Sequence, residues 1–239
     1  MSMKPKKKNQ EYINDVAITI EVGSGTIDRV RKGETTHVSV QINSGEFPDA
    51  INDSLQFLVL SDGTDDCLVK ILSVKTEAIE EVEFEIVPVL EYPRKYLMRW
   101  NPSISSFTES DYEDCLENME HGMFRMNWSI YEWEEARRGD IFYMLRVGDN
   151  KTGIVFSGLI VSDPYVMDDW AGSSKRRLYV DLVCMNAIIP NDKPMVSLEV
   201  LQTAIPEFNW AKGHSGVLLP DSIAEKMVGL LDKDAPMLN

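Results

Sequence analysis

Apolar and polar positions alternate with a period of two through the first third of the chain, the signature of half-buried strands. Ile18, Ile20 and Val22 are spaced two apart within 16–22, and 35–42 places His37, Ser39 and Gln41 on one side. Short strands are expected over 54–60 and 66–74, with Asp62-Gly63 between them as a hairpin-type turn signal. From Glu81 to Val87 acids alternate with Val82, Phe84 and Ile86, so this stretch reads as a strand with one solvated, acidic face. Pro88 and Pro93 bracket a short connector, after which the alternation restarts. The pattern therefore predicts a strand-rich domain over 11–92, preceded by a basic flexible arm over 1–10, and a second domain over 93–239.

The second domain opens with a strand expected over 94–100. A helix follows over 110–121, because Tyr112, Cys115, Leu116 and Met119 recur at i, i+3, i+4 and i+7. Ser110 and Glu113 have the spacing of a capping box. The opposite face, with Asp111, Glu113, Asp114, Glu117 and Glu120, is expected to be solvated and turned away from any nucleic acid. Arg138-Gly139-Asp140 is a turn signal that launches a strand over 141–147, whose mixture of β-branched, aromatic and long apolar residues suits burial on both faces. A Gly/Asp/Asn loop leads to a return strand over 154–161. Gly158 within it marks a bulge or a close backbone approach. A long strand over 177–189 and a closing helix over 222–231, with Ser222 and Glu225 as a second capping box, complete the reading.

Composition narrows the function. The 239 residues, 44% of them apolar, can bury one large core or two smaller ones. No apolar run approaches the length of a membrane span, and the basic N-terminus has no apolar stretch behind it to make a secretory signal. Cys67, Cys115 and Cys184 form no C-x-x-C pair and the three histidines are scattered, so no metal, cofactor or disulfide framework is expected, and free thiols fit a cytoplasmic protein. The net charge of −15 matters most. Phosphate neutralisation supplies most non-specific affinity for nucleic acid, so any such role must be local, and weak without help from a partner. No phosphate loop, nucleophile elbow or His/carboxylate metal set points to an enzyme.

The order of elements from Gly139-Asp140 through the two central strands to Ser162-Asp163-Pro164-Tyr165 resembles the EVE branch of the PUA-like superfamily. Trp100-Asn101-Pro102, Trp128-Ser129, Trp170, Tyr179-Val180-Asp181, Trp210, Ser215-Gly216 and Leu219-Pro220 extend the resemblance over about 94–232. The segment from Thr26 to Thr36 bears a fainter resemblance to an ASCH-type, also PUA-like, unit. The fold class expected is α+β and mostly β, a PUA-like curved sheet or pseudo-barrel with two short helices behind a strand-rich domain.

All five tryptophans lie beyond residue 99. Any one of them can be ordinary core, but Trp100, Trp128 and Trp170 each stand in a loop or where a strand meets one, beside Asn101, Ser129 or Gly172. An aromatic wall with a few hydrogen-bonding groups suits a flat heterocycle. The resemblance implies a non-catalytic module that binds a modified nucleobase, in DNA or RNA, with Trp100, Asn101, Trp128, Ser129, Arg146, Ser162 and Tyr165 as pocket candidates; the lone loop tryptophan, Trp170, joins them. Arg138, Lys175, Arg176 and Arg177 are candidates for contacts with the nucleic-acid backbone. A protein partner would supply any catalysis. The alternative is an acidic protein-interaction or immunity-type protein on the same scaffold.

Overall fold

The computed structural model describes residues 18–41, 56–78, 81–120, 123–169, 172, 175–187 and 194–234. The basic arm expected over 1–10 and Trp170 lie outside them. The chain divides into two compact units between Glu91 and Tyr92. Most of the described structure is β, with few helices. No helix among the described residues is long and apolar enough to cross a membrane.

The first unit is one five-stranded sheet. Its elements are β1 (Ile18–Glu21), helix α1 (Thr26–Arg31), β2 (His37–Gln41), β3 (Phe57–Ser61), β4 (Asp66–Ala78) and β5 (Glu81–Pro88), and the strand order is β1-β3-β4-β5-β2. β1 runs parallel to β3 and the other neighbours are antiparallel. The Asp62-Gly63 signal becomes the β3–β4 turn: Asp62 Oδ1 accepts the N–H groups of Thr64 and Asp65, both at 3.0 Å, and Gly63 takes φ +82°. β5 buries Val82, Phe84 and Ile86 and leaves the intervening acids half-exposed. Ile27 and Val30 of α1 pack into the same core with Leu58, Leu60 and Val69. This helix falls inside the segment of fainter resemblance and was not foreseen; six residues are too few to show a period.

The second unit is an eight-stranded sheet of β6 (Lys95–Trp100), β7 (Phe124–Ser129), β8 (Ile141–Arg146), β9 (Gly153–Ile160), β10 (Tyr165–Asp168), β11 (Arg176–Ala187), β12 (Val196–Ser197) and β13 (Val217–Leu218). The main path runs β10-β11-β9-β8-β6-β13, with β7 on β11 and β12 on β9. β6 and β8 are parallel and the remaining pairs antiparallel. Three helices accompany it, α2 (Glu109–Glu120), α3 (Leu198–Ala204) and α4 (Asp221–Asp234). The extra one, α3, is again short, and is capped where Ser197 Oγ accepts the Val200 N–H at 3.2 Å.

Strand alternation explains the layering. Phe142 and Met144 of β8 pack with Tyr96 and Met98 of β6 and with Tyr112, Cys115 and Leu116 of α2. Tyr143 and Leu145 pack on the other side with Leu97, Leu201 of α3 and Ile223 and Met227 of α4. β8 is thus buried on both faces, as its unbroken apolar run requires. The cap of α2 sits two residues upstream of the expected one. Asp111 Oδ2 accepts the Thr108 N–H at 2.6 Å and Thr108 Oγ1 accepts the Asp111 N–H at 3.3 Å, so Thr108 and Asp111 make the reciprocal box. α4 likewise starts at Asp221, ahead of Ser222.

Gly158 is a close approach. A Cβ there would lie 1.9 Å from the carbonyl oxygen of Val183 on β11 and 3.0 Å from the Phe142 ring. The obstacle is backbone in mid-sheet, so it cannot swing aside. Gly158→Ala is expected to destabilise the second unit by about 3 kcal/mol or more, the upper range for overpacking. Urea unfolding of the two proteins measures it; a loss below about 0.5 kcal/mol would mean that β9 and β11 are not paired in this register.

Candidate functional site

The second unit carries a cavity of about 960 Å3 where the end of β7, the loop after β6 and the 211–215 turn converge. β7 delivers Asn127, Trp128 and Ser129, and the chain beyond it delivers Tyr131 and Trp133. The loop after β6 contributes Asn101 and Phe107, and the turn contributes Lys212, His214 and Ser215. The wall is aromatic with interspersed amides and hydroxyls.

Ser215 holds this geometry. Its Oγ accepts the Trp128 Nε1–H at 2.8 Å and the Arg99 backbone N–H at 2.9 Å, tying β7 and β6 to the turn. The Tyr131 N–H donates to the Ser215 and Gly216 carbonyls, both at 3.1 Å, and the Glu132 N–H reaches Gly216 O at 2.9 Å. Gly216 has φ +73°, and a Cβ would come within 2.5 Å of Ile130 Cα, so this crossing requires glycine. Asn101 packs its amide against Gly148, where a Cβ would fall 2.4 Å from Asn101 Nδ2. Trp128 is half-buried and meets Phe107 edge-on, with ring centroids 6.1 Å apart. Tyr131 and His214 stack nearly parallel, 4.0 Å apart at 14°.

The charges lining the cavity oppose the sign of the chain. Among the described residues, Arg99, Arg177 and Lys212 line it with a single carboxylate, Asp111. Arg99 donates to the carbonyls of His214 and Asn209, which makes it a prop for the turn, and burial lowers its pKa from the ordinary value. Arg177 pairs with the buried carboxylate of Asp169 at 2.8 Å and keeps half its side chain in solvent. Thr108, by its backbone and hydroxyl hydrogen bonds, holds Asp111 below the usual carboxylate range. The first turn of α2 thus reaches the cavity through Asp111.

Of the residues singled out from sequence, Asn101, Trp128, Ser129 and Arg177 come together here. Trp100 does not. It is fully buried, its Nε1–H donates to Phe107 O at 2.7 Å, and Tyr112, Phe107 and Arg146 surround it. No face is left on which a base could stack. Arg146 is 3% exposed, does not line the cavity and pairs with carboxylates behind it. Its Nε donates to Asp149 at 2.8 Å, its Nη2 lies 2.6 Å from Glu109, and its Cζ sits 4.8 Å from the Trp100 ring centre.

Ser162 and Tyr165 are engaged with Asp181 instead, away from the cavity wall. Ser162 Oγ accepts the Asp181 N–H at 2.8 Å, and Tyr165 donates its hydroxyl to Asp181 Oδ1 at 2.6 Å. Burial and that carboxylate push the Tyr165 pKa up. Arg138 donates to the Val161 carbonyl, and neither it nor Lys175 nor Arg176 lines the cavity. Asp140 serves the fold, accepting the Arg94 N–H at 2.8 Å and the Arg137 N–H at 3.0 Å. Sequence reasoning missed Tyr131, Asn127, Lys212 and His214 as wall residues. The one local hint was Ser215-Gly216. Among the described residues no group of three or more His, Cys, Asp or Glu side chains could hold a metal ion.

No protein-family signature matches the sequence, and no curated protein matches it. Solved structures do. Protein PSPTO5229 from Pseudomonas syringae matches with 14% identity and TM-score 0.40, over 57% of this chain and 99% of its own. The Mmi1 YTH domain complexed with RNA matches with 11% identity and TM-score 0.37, over 62% and 85%. The YTH domain of Zygosaccharomyces rouxii MRB1, complexed with N6-methyladenosine RNA, matches with 13% identity and TM-score 0.36, over 70% and 99%. These likenesses are distant. Nothing about activity follows from likeness at this level.

The Arg146 cluster predicts a stability effect. Burial raises the Glu109 and Asp149 carboxyls, but hydrogen bonds and charge from Arg146, with Lys151, outweigh it and hold both below their ordinary 4.5 and 3.8. A folded-state pKa below the unfolded one contributes stability that is present above the unfolded value and lost as pH falls through the folded value. Stability should therefore decline as pH drops below about 4.5. Arg146→Met should cost about 3 kcal/mol at pH 7, the low end for breaking a buried pair because both carboxylates keep some water, and should weaken this acid dependence. Urea unfolding at pH 7 and pH 3 measures both; an unchanged acid dependence would show that the pairing contributes nothing.

Proposed function

We propose that the second unit is a non-catalytic reader that takes a modified nucleobase of DNA or RNA into the cavity at Trp128, beside a partner that supplies any chemistry. One observation carries the reading: an aromatic wall, hydrogen-bonding amides and hydroxyls, and a cationic rim converge on one concavity of a strongly acidic protein. Each ingredient answers a feature of the ligand. A base offers a π-face for Trp128 and polar edges for Asn101, Asn127 and Ser129, and its phosphates suit Lys212 and Arg177. Ser215 fixes the indole before the ligand arrives, which lowers the entropic cost of binding. The net charge of −15 favours the alternative, an acidic protein-interaction role, and does so without reference to the cavity.

The test is fluorescence polarisation with labelled single strands carrying methylated adenine, cytosine or guanine, RNA and DNA, across a salt series. Stacking is worth roughly 1–3 kcal/mol per base, so Trp128→Ala should weaken the preferred strand about ten- to hundredfold. Arg177→Ala or Lys212→Ala should weaken all strands alike and flatten the salt dependence. Thermal melting verifies that each variant is folded. Absence of binding to any strand at low ionic strength, or equal binding by folded Trp128→Ala, would sink the reading and put the interaction role first.

A further inference from the structure

The cavity offers more aromatic surface than one base can cover. Its 960 Å3 lies near the top of the range for small-ligand pockets. Trp128 is half-buried, whereas Tyr131 is 57% exposed and stacked on an exposed His214. Among the described residues the exposed Tyr and Trp side chains are Tyr92, Tyr131 and Trp133, and two of these three line this one concavity. Exposed rings gathered at one place mark a contact surface more often than chance scatter does.

The outer rings are also held in place. The Tyr131 N–H is bonded to two carbonyls of the 215–216 turn, and the stack joins the strand exit to that same turn. With centroids 4.0 Å apart, the two rings have no room for a base between them, so a base can only extend the stack from outside.

We infer that the Tyr131–His214 stack is a second platform, which takes the base next to the one held at Trp128, so that the ligand is a single-stranded segment of at least two nucleotides. The inference rests on the proposed reading of the cavity. Stacking on such a platform tolerates any neighbouring base, because every base has a π-face. A duplex is disfavoured because its bases already stack on one another. Lys212, two residues before His214 on the same wall, supplies a cation for the phosphates of that segment.

The experiment compares affinities of the full chain for a methylated nucleoside 5′-monophosphate and for a single-stranded trimer with the same base at its centre. Both are chosen as the best-bound modification of the panel above. The trimer should bind about tenfold or more tightly than the monophosphate, the effect of one further stacked base. Tyr131→Ala should bring the ratio of the two affinities close to one, and Tyr131→Phe should restore it. Equal affinity for monophosphate and trimer in the unaltered protein would overturn the inference while leaving the base-reading proposal standing. A trimer advantage that survives Tyr131→Ala but vanishes with added salt would also overturn it, by assigning the gain to phosphate charge. Failure of both probes to bind would remove the base-reading proposal and this inference with it.

Discussion

The second unit depends on one buried cation. Arg146 ends β8 in an otherwise apolar strand, and its guanidinium is almost completely removed from water. An isolated charge there would be prohibitive, so its neighbours are specified: Asp149 in the β8–β9 loop, Glu109 at the start of α2, and the faces of Trp100 and Tyr112. A desolvated cation over an indole gains about 2 kcal/mol. The same contacts fix the start of α2 over the sheet and set Trp100 as the floor of the loop from 101 to 107. That loop then carries Asn101 and Phe107 to the cavity. Lysine could not substitute, since the planar fork and the flat stacking surface are both used.

A second constraint sits at the opposite wall. Ser215 is bonded to β6 and β7 at once, and Gly216 lets the turn cross Ile130 at a distance that any side chain would block. Arg99 reaches beneath the turn to its carbonyls. The cavity is therefore walled on both sides by backbone held at several points. Its aromatic rings are presented from that rigid frame, which is the arrangement that makes exposed rings useful for binding.

Most strands were legible in the sequence because their signals are local, whereas β7, β10, β12 and β13 were not expected. The apolar run of β8, the Gly/Asp/Asn loop after it and the alternation of β5 each act over a few residues. Gly158 was legible too, since glycine in mid-strand has few other causes. The site was harder. Trp128 meets Ser215 across 87 positions, and Arg146 meets Glu109 across 37. Whether a tryptophan beside a loop is wall or floor depends on what α2 and a distant arginine bring over it, and Trp100 carries no mark of that in its neighbours. The cap of α2 failed for a different reason. Ser110 with Glu113 and Thr108 with Asp111 are overlapping boxes of equal local merit, and the pull of Arg146 on Glu109 favours the upstream start.

Charge joins these walls to the chemistry proposed for them. At physiological ionic strength the Debye length is about 8 Å. A phosphate at the rim is then governed by Lys212 and Arg177, and the acids elsewhere on the chain are largely screened from it. Arg177 is already half committed to Asp169, which trims the attraction further. So few cations release few counterions, and the phosphate contribution to affinity stays small. Stacking is a contact force, little affected by salt or by distant acids. An acidic protein that binds a strand through its bases must lean on aromatic surface, and this is where the cavity spends it: Trp128, Tyr131 and Trp133 within six residues of chain.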